Sequence, residues 1–320
     1  MNEEALFERL LEILSTQSEA PPLSELSPLS DLDLSQFSRF EPVWCTLNNK
    51  QRQKLLTNLG KLADDQIEFQ FDRINQNAVS DSDAEVRRLA IENLWESQDQ
   101  KLIPIYLDTV ASDPSNDVRD SAIRALGRFI LLGQYSKISS DNLNMIEDNL
   151  LALVAEDDNL EIQRSCIEAL GFSSRPGVEE IINTAYLSSK EKLRQSALTA
   201  MGRSANEMWA EIIIKELDSP SPYLRIEAAR ATGELEIRSA VGNLVELLDD
   251  VSDDVRTNAI WSLGQIGGSI AREALETFQT TNEGKQAIEQ VEEALEHIAF
   301  LEGTPDFLLY NFDEEEDELA

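Results

Sequence analysis

One pattern recurs along most of this chain and leaves few folds open to it. Successive copies close on Gly60, Trp95, Gly127, Gly171, Gly202, Gly233 and Gly264, and nine residues before each stands Gln51, Val86, Val118, Ile162, Leu193, Leu224 or Val255. The last three steps are 31 residues each and the first two are 35 and 32, while the 44-residue step from Gly127 to Gly171 holds an insertion near Leu131 to Asp141. A period of this length is one helix pair. Such a pair cannot bury its apolar face alone, so the copies must stack.

The positions inside each copy have separate duties. Directly after the aliphatic residue comes Arg52, Arg87, Arg119, Arg194, Arg225 or Arg256; the Ile162 copy has Gln163 there, with Arg164 next. Five residues before the aliphatic position, Asp81, Asp113, Asp157 and Asp250 recur, and Ser188 and Ser219 replace Asp in two copies. A short carboxylate suits a helix-entry turn because it accepts backbone N–H groups. A following arginine can bridge to it, or to its equivalent in the next copy, which predicts a ladder of ion pairs. Leu55, Ala90, Ala122, Cys166, Ala197, Ala228 or Ala259 stands four residues after the aliphatic position and continues an apolar stripe of helical period. Glycine at the ninth place permits close approach or a left-handed helix end. Trp95 breaks that rule and is expected to cap a differently shaped turn.

The Asp…Val-Arg…Ala-Ile…Leu-Gly rhythm resembles HEAT repeats, particularly the short HEAT-like repeats first associated with phycobilisome lyases, over residues 34–303. Ala90 to Glu96 and Ala125 to Phe129 also look like segments of uncharacterised bacterial HEAT-repeat proteins. The resemblance implies an all-α fold, a right-handed, armadillo-like α-solenoid of about eight helix pairs, whose extended concave face binds protein.

The array has flanks. Residues 1–15 read as an amphipathic helix with Leu6, Phe7, Leu10, Leu11 and Leu14 on one face, expected to fold back as a cap rather than to dock in a partner. Residues 16–33, with Pro21, Pro22 and Pro28, read as a mobile Ser/Pro-rich linker. Residues 304–320 form an acidic tail, in which Asp313 to Glu318 should stay solvated.

A formal charge of −34 argues against a binder of nucleic-acid backbone and against anionic membrane surfaces. With no secretory signal and no apolar run of membrane-spanning length, the cytoplasm is the expected location. Cys45 and Cys166 read as structural thiols, and His297, the only histidine, as structural or surface. Without a histidine or cysteine cluster, a phosphate loop or a nucleophile elbow, no metal, cofactor or enzymatic role is expected. HEAT-repeat deoxyhypusine hydroxylases use paired His-Glu motifs, and none occurs here. A phycobilin lyase-like or other protein-modifying role is the alternative, since in such lyases the bilin-accepting cysteine belongs to the substrate protein.

If the second helix of each pair buries the aliphatic position and the fourth, fifth and eighth residues after it, the second, third and sixth face outward. That face carries five bases and four acids, a balance unlike the whole chain. Arg88, Glu92, Arg124, Arg164, Glu168, Arg230 and Trp261 are its candidate partner-binding residues, because arginine and tryptophan are favoured anchors in protein interfaces. The competing reading pairs the arginines with neighbouring acids and packs Trp261 between repeats. The expected function is a non-enzymatic scaffold or adaptor for a protein or peptide, with the acidic tail as a possible competitor for the face.

Overall fold

Every regular element in the computed structural model, which describes residues 3–16 and 21–309, is helical. Eighteen α-helices lie among the described residues, divided between two compact units, Met1–Ala169 and Leu170–Ala320. The division falls in the copy where Gln163 replaces the arginine.

The first unit contains α1 (Glu3–Thr16), α2 (Leu34–Thr46), α3 (Asn49–Asp65), α4 (Asp72–Ala78), α5 (Ala84–Asn93), α6 (Leu102–Ser112), α7 (Asn116–Gln134), α8 (Ser140–Glu156) and nearly all of α9 (Leu160–Leu170). Helices α3, α5 and α7 pack in succession as the second members of their pairs, with α4 against α5 and α6 against α7. The insertion appears as added helix: α7 runs for 19 residues and α8 for 17.

The second unit contains α10 (Val178–Tyr186), α11 (Glu191–Arg203), α12 (Ala210–Glu216), α13 (Pro222–Glu234), α14 (Val241–Glu246), α15 (Asp253–Ile266), α16 (Ser269–Phe278), α17 (Asn282–Gln286) and α18 (Ile288–Leu309). Helices α11, α13, α15 and α18 stack in order, with α10, α12, α14 and α16 alongside. Residues 304–309 continue α18, where the sequence reading begins the tail. The acidic run Asp313 to Glu318, and its supposed competition for the face, lie outside the described residues.

The repeat positions explain the stacking. Val86, Val118, Ile162, Leu224 and Val255 are at most 1% exposed, as are Ala90, Ala122, Cys166, Ala228 and Ala259. Burying one such aliphatic side chain contributes about 1.5–3 kcal/mol. The ninth-place glycines serve close approach and not a left-handed turn. A Cβ on Gly171 would lie 2.7 Å from the Ala200 Cα and 2.8 Å from its carbonyl oxygen. Helix α5 stops at Asn93, before its ninth place, so Trp95 stands outside the helix and is 52% exposed.

The ladder forms, and its arginines reach forward to the next copy. Arg87 donates to Asp113 at 2.7 and 2.9 Å, Arg225 to Asp250 at 2.7 and 2.9 Å, and Arg119 to Asp157 at 2.5 Å. Arg52 lies 3.3 Å from Asp81. Each acceptor also closes its own turn by taking an N–H two residues on, as Asp113 does from Ser115 and Asp250 from Ser252. Where Ser219 replaces Asp, Arg194 turns instead to Glu216 at 3.2 Å. Burial alone would raise the Asp113, Asp157 and Asp250 carboxyls, but the arginine and backbone hydrogen bonds outweigh it and hold all three below the usual range.

The N-terminal flank is packed. Phe7, Leu10, Leu11 and Leu14 of α1 are buried, and Arg39 of α2 binds Glu4 and Glu8 while lying over the Phe7 ring. The supposed linker differs from expectation over residues 21–33, which are described. Leu26, Leu29 and Leu32 are at most 4% exposed, and Asp31 and Leu32 bond Gln70 and Arg73. Leucines spaced by three fit the short 3₁₀ turns seen there, which bury one side despite the Ser and Pro content.

Candidate functional site

Residue offsets within the second helices define the exposed face. Gly264 approaches Ala294 as Gly171 approaches Ala200 and Gly202 approaches Ala231, which sets the register of α18 although it lacks the Val-Arg signature. In that register Arg230, Trp261 and Glu293 occupy equivalent places on α13, α15 and α18. So do Glu234, Gln265 and His297, one turn later.

These residues, with Asn258, Gln290 and Thr257, line a groove of about 650 Å³ across the three helices. Trp261 is its one large apolar side chain and is 41% exposed, with one ring edge against Gly233. Arg230 donates to Glu234 at 2.9 Å along its own helix. His297 Nδ1 sits 3.1 Å from the Gly264 carbonyl, a contact in which Nδ1–H donates to the carbonyl oxygen. One indole amid amide, hydroxyl, carboxylate and imidazole groups can bury an apolar side chain of a ligand while satisfying polar groups beside it.

Of the seven candidate residues, the structure brings Arg230 and Trp261 together in this groove. The other five lie in the first unit and are engaged along their own helices. Arg88 is 2.6 Å from both Glu85 and Glu92, and these bonds, Glu85 first, raise its pKa. Arg164 is 2.6 Å from Glu161 and 3.8 Å from Glu168. Arg124 pairs with Asp120 at 2.9 Å, yet its side chain is 72% exposed.

Where the third outward place carries serine, it does not face solvent. Ser121, Ser165 and Ser196 are at most 8% exposed, and so is Thr199 at a sixth place. They sit in the seam between second helices, where Ser121 donates to Glu92, Ser165 to Asp120 and Thr199 to Glu227. Small hydroxyl side chains fit there because the helices approach closely. Gln265, Gln290, Glu293 and His297 were missed as site residues. The signal that finds them is the small seventh-place residue, Ala200, Ala231, Ser262 and then Ala294.

The stacked pairs with a fixed period define a class of helical-repeat protein. The model of the HEAT repeat matches residues 73–139 and 210–296. An Arabidopsis thaliana deoxyhypusine hydroxylase is 30% identical over 184 residues, covering 50% of this chain and 57% of that protein. Yeast importin-beta superposes with a TM-score of 0.52 at 12% identity, covering 92% of this chain and 47% of that one, a likeness of fold. The phycocyanin lyase complex from Nostoc matches at a TM-score of 0.45 and 15% identity, over 71% of this chain and 94% of that one.

The expectation of no enzymatic role is corrected by the hydroxylase. A 30%-identical relative is an enzyme, so missing motifs do not set this chain apart from catalytic proteins. The reason is physical: one fold hosts catalytic and binding proteins alike, and chemistry resides in a few surface residues that motif reading samples poorly. No helix among the described residues is long and apolar enough to cross a membrane.

Proposed function

We propose that the protein binds a partner protein, holding an extended segment of it in the groove across α13, α15 and α18. The supporting observation is Trp261, a half-exposed indole set among aligned polar side chains on three successive helices. An apolar side chain of the segment packs on the indole, Asn258, Gln265 and Gln290 bond its backbone, and the Arg230–Glu234 pair borders the site. Arg88, Glu92, Arg124, Arg164 and Glu168, at their own outward places in the first unit, are a separate candidate patch. The cytoplasmic location expected from the sequence belongs to the same proposal. A native pull-down of wild type and of Trp261→Ala with Arg230→Glu, both checked by circular dichroism, tests it. A stoichiometric partner lost only from the variant supports the groove, and a partner retained by both contradicts it.

The hydroxylase relative favours a second reading, in which the segment held there is a substrate for modification. A mass change in the captured partner after incubation with wild type, absent with His297→Gln, would favour that reading over simple binding.

A further inference from the structure

A second recess, in the first unit, is independent of that groove and chemically different from it. The end of α3, the 66–71 connection, the start of α4 and the turn after α5 enclose a cleft of about 730 Å³. Its apolar surface includes Ile67, 89% exposed, and Trp95, 52% exposed, next to Phe69 and Phe71, whose rings stack at 6.4 Å. Asp64, Asp72, Glu96 and Asp99 lie along the same walls, and no lysine, arginine or histidine is among the lining residues described. Outside that lining, the Arg128 guanidinium lies over the Trp95 ring at 5.2 Å.

The backbone adds to the negative potential. Helices α3 and α5 both end at the cleft, and neither has a basic residue in its last turn. Two carbonyl ends therefore add partial negative charge to four carboxylates. Clustered exposed apolar side chains mark interaction sites, and here the charged lining residues are all acidic. Trp95 is also the residue that departs from the repeat, because α5 stops short and releases the ninth place to the surface.

We propose that this cleft is a docking site for a protein segment in which a bulky aliphatic or aromatic residue is flanked by lysine or arginine. The apolar residue packs between Ile67 and Trp95, and the flanking cations lie against Asp64, Glu96 and Asp99. Neither contact suffices alone. The apolar pair supplies position, and the acids supply steering and selection against acidic segments.

The test is selection of a random-peptide phage library on the full-length protein at physiological salt, with subtraction on the Ile67→Ser/Trp95→Ala variant. Ile67 is almost fully exposed, so Ile67→Ser alone serves as a variant that retains the fold. The expected survivors carry lysine or arginine within a few residues of a bulky apolar side chain. A synthetic survivor should bind Ile67→Ser at least tenfold more weakly than wild type. It should also lose at least tenfold when its own apolar residue is replaced by serine. Asp64→Asn with Asp99→Asn should weaken binding and flatten its salt dependence. The proposal is overturned if no peptide survives subtraction, if survivors lack basic residues, or if the serine-substituted peptide binds equally well.

Discussion

Arg87 donates two hydrogen bonds to Asp113 of the next helix pair, whereas Arg88, one residue on, is held by Glu85 and Glu92 of its own helix. The first lies in a seam, with side chains 12% and 8% exposed; the second lies on a face where both acids are 46% exposed. Adjacent positions on a helix point about 100° apart, so one residue of register separates a bond that links repeats from a pair that does not. The same contrast recurs at Arg225, bonded to Asp250, and Arg230, bonded to Glu234 four residues away. Residue type alone does not reveal the duty of an arginine here; its partner's place in the repeat does.

That contrast can be broken from the seam side first. Gly171→Val should give the largest effect, about 3 kcal/mol or more, because the new side chain meets the Ala200 backbone, which cannot rotate away. Thermal unfolding followed by circular dichroism would detect it. Arg87→Ala should cost about 2–3 kcal/mol, since it leaves the mostly buried Asp113 carboxylate without its cation.

Acid provides a third approach. Asp113, Asp157 and Asp250 bind protons less readily folded than unfolded, despite the opposing effect of burial. Their contribution is therefore complete above about pH 4, the unfolded carboxylate range, and is lost as pH falls through the lower folded values. Melting temperature should drop between pH 6 and pH 3, and Arg225→Ala, already lacking its ion pair, should drop less than wild type over that interval.

The smallest stability effect is expected on the face. Arg88→Ala removes partly exposed pairs within one helix and should cost less than about 1 kcal/mol by denaturant titration. Equal losses from Arg87→Ala and Arg88→Ala would abolish the distinction.

The seam was far more legible in the sequence than the face. A period near 31 residues, the buried aliphatic and alanine positions and the Asp–Arg ladder all depend on neighbouring copies, and repetition exposes such constraints. The face depends less on its neighbours, so its residues vary from copy to copy. Ser121, Ser165 and Ser196 look polar enough to face water, yet the close helix approach that glycine permits encloses them. His297 read as a lone edge residue because α18 lacks the Val-Arg pair; only the contact between Gly264 and Ala294 places it beside Gln265 and Trp261. The 16–33 segment read as mobile from its serines and prolines, while its three-residue leucine spacing carried the packing information. That a relative is an enzyme is not legible for a different reason, because fold positions and catalytic positions are independent.

The separation of seam from face rests on two neighbouring side chains, and urea denaturation of Arg87→Ala and Arg88→Ala in the full chain measures both under one condition. A clear fall in midpoint for Arg87→Ala, with Arg88→Ala close to wild type, is the predicted result. Indistinguishable midpoints, or a larger fall for Arg88→Ala, would contradict the assignment of the ladder to stability and of the exposed face to recognition.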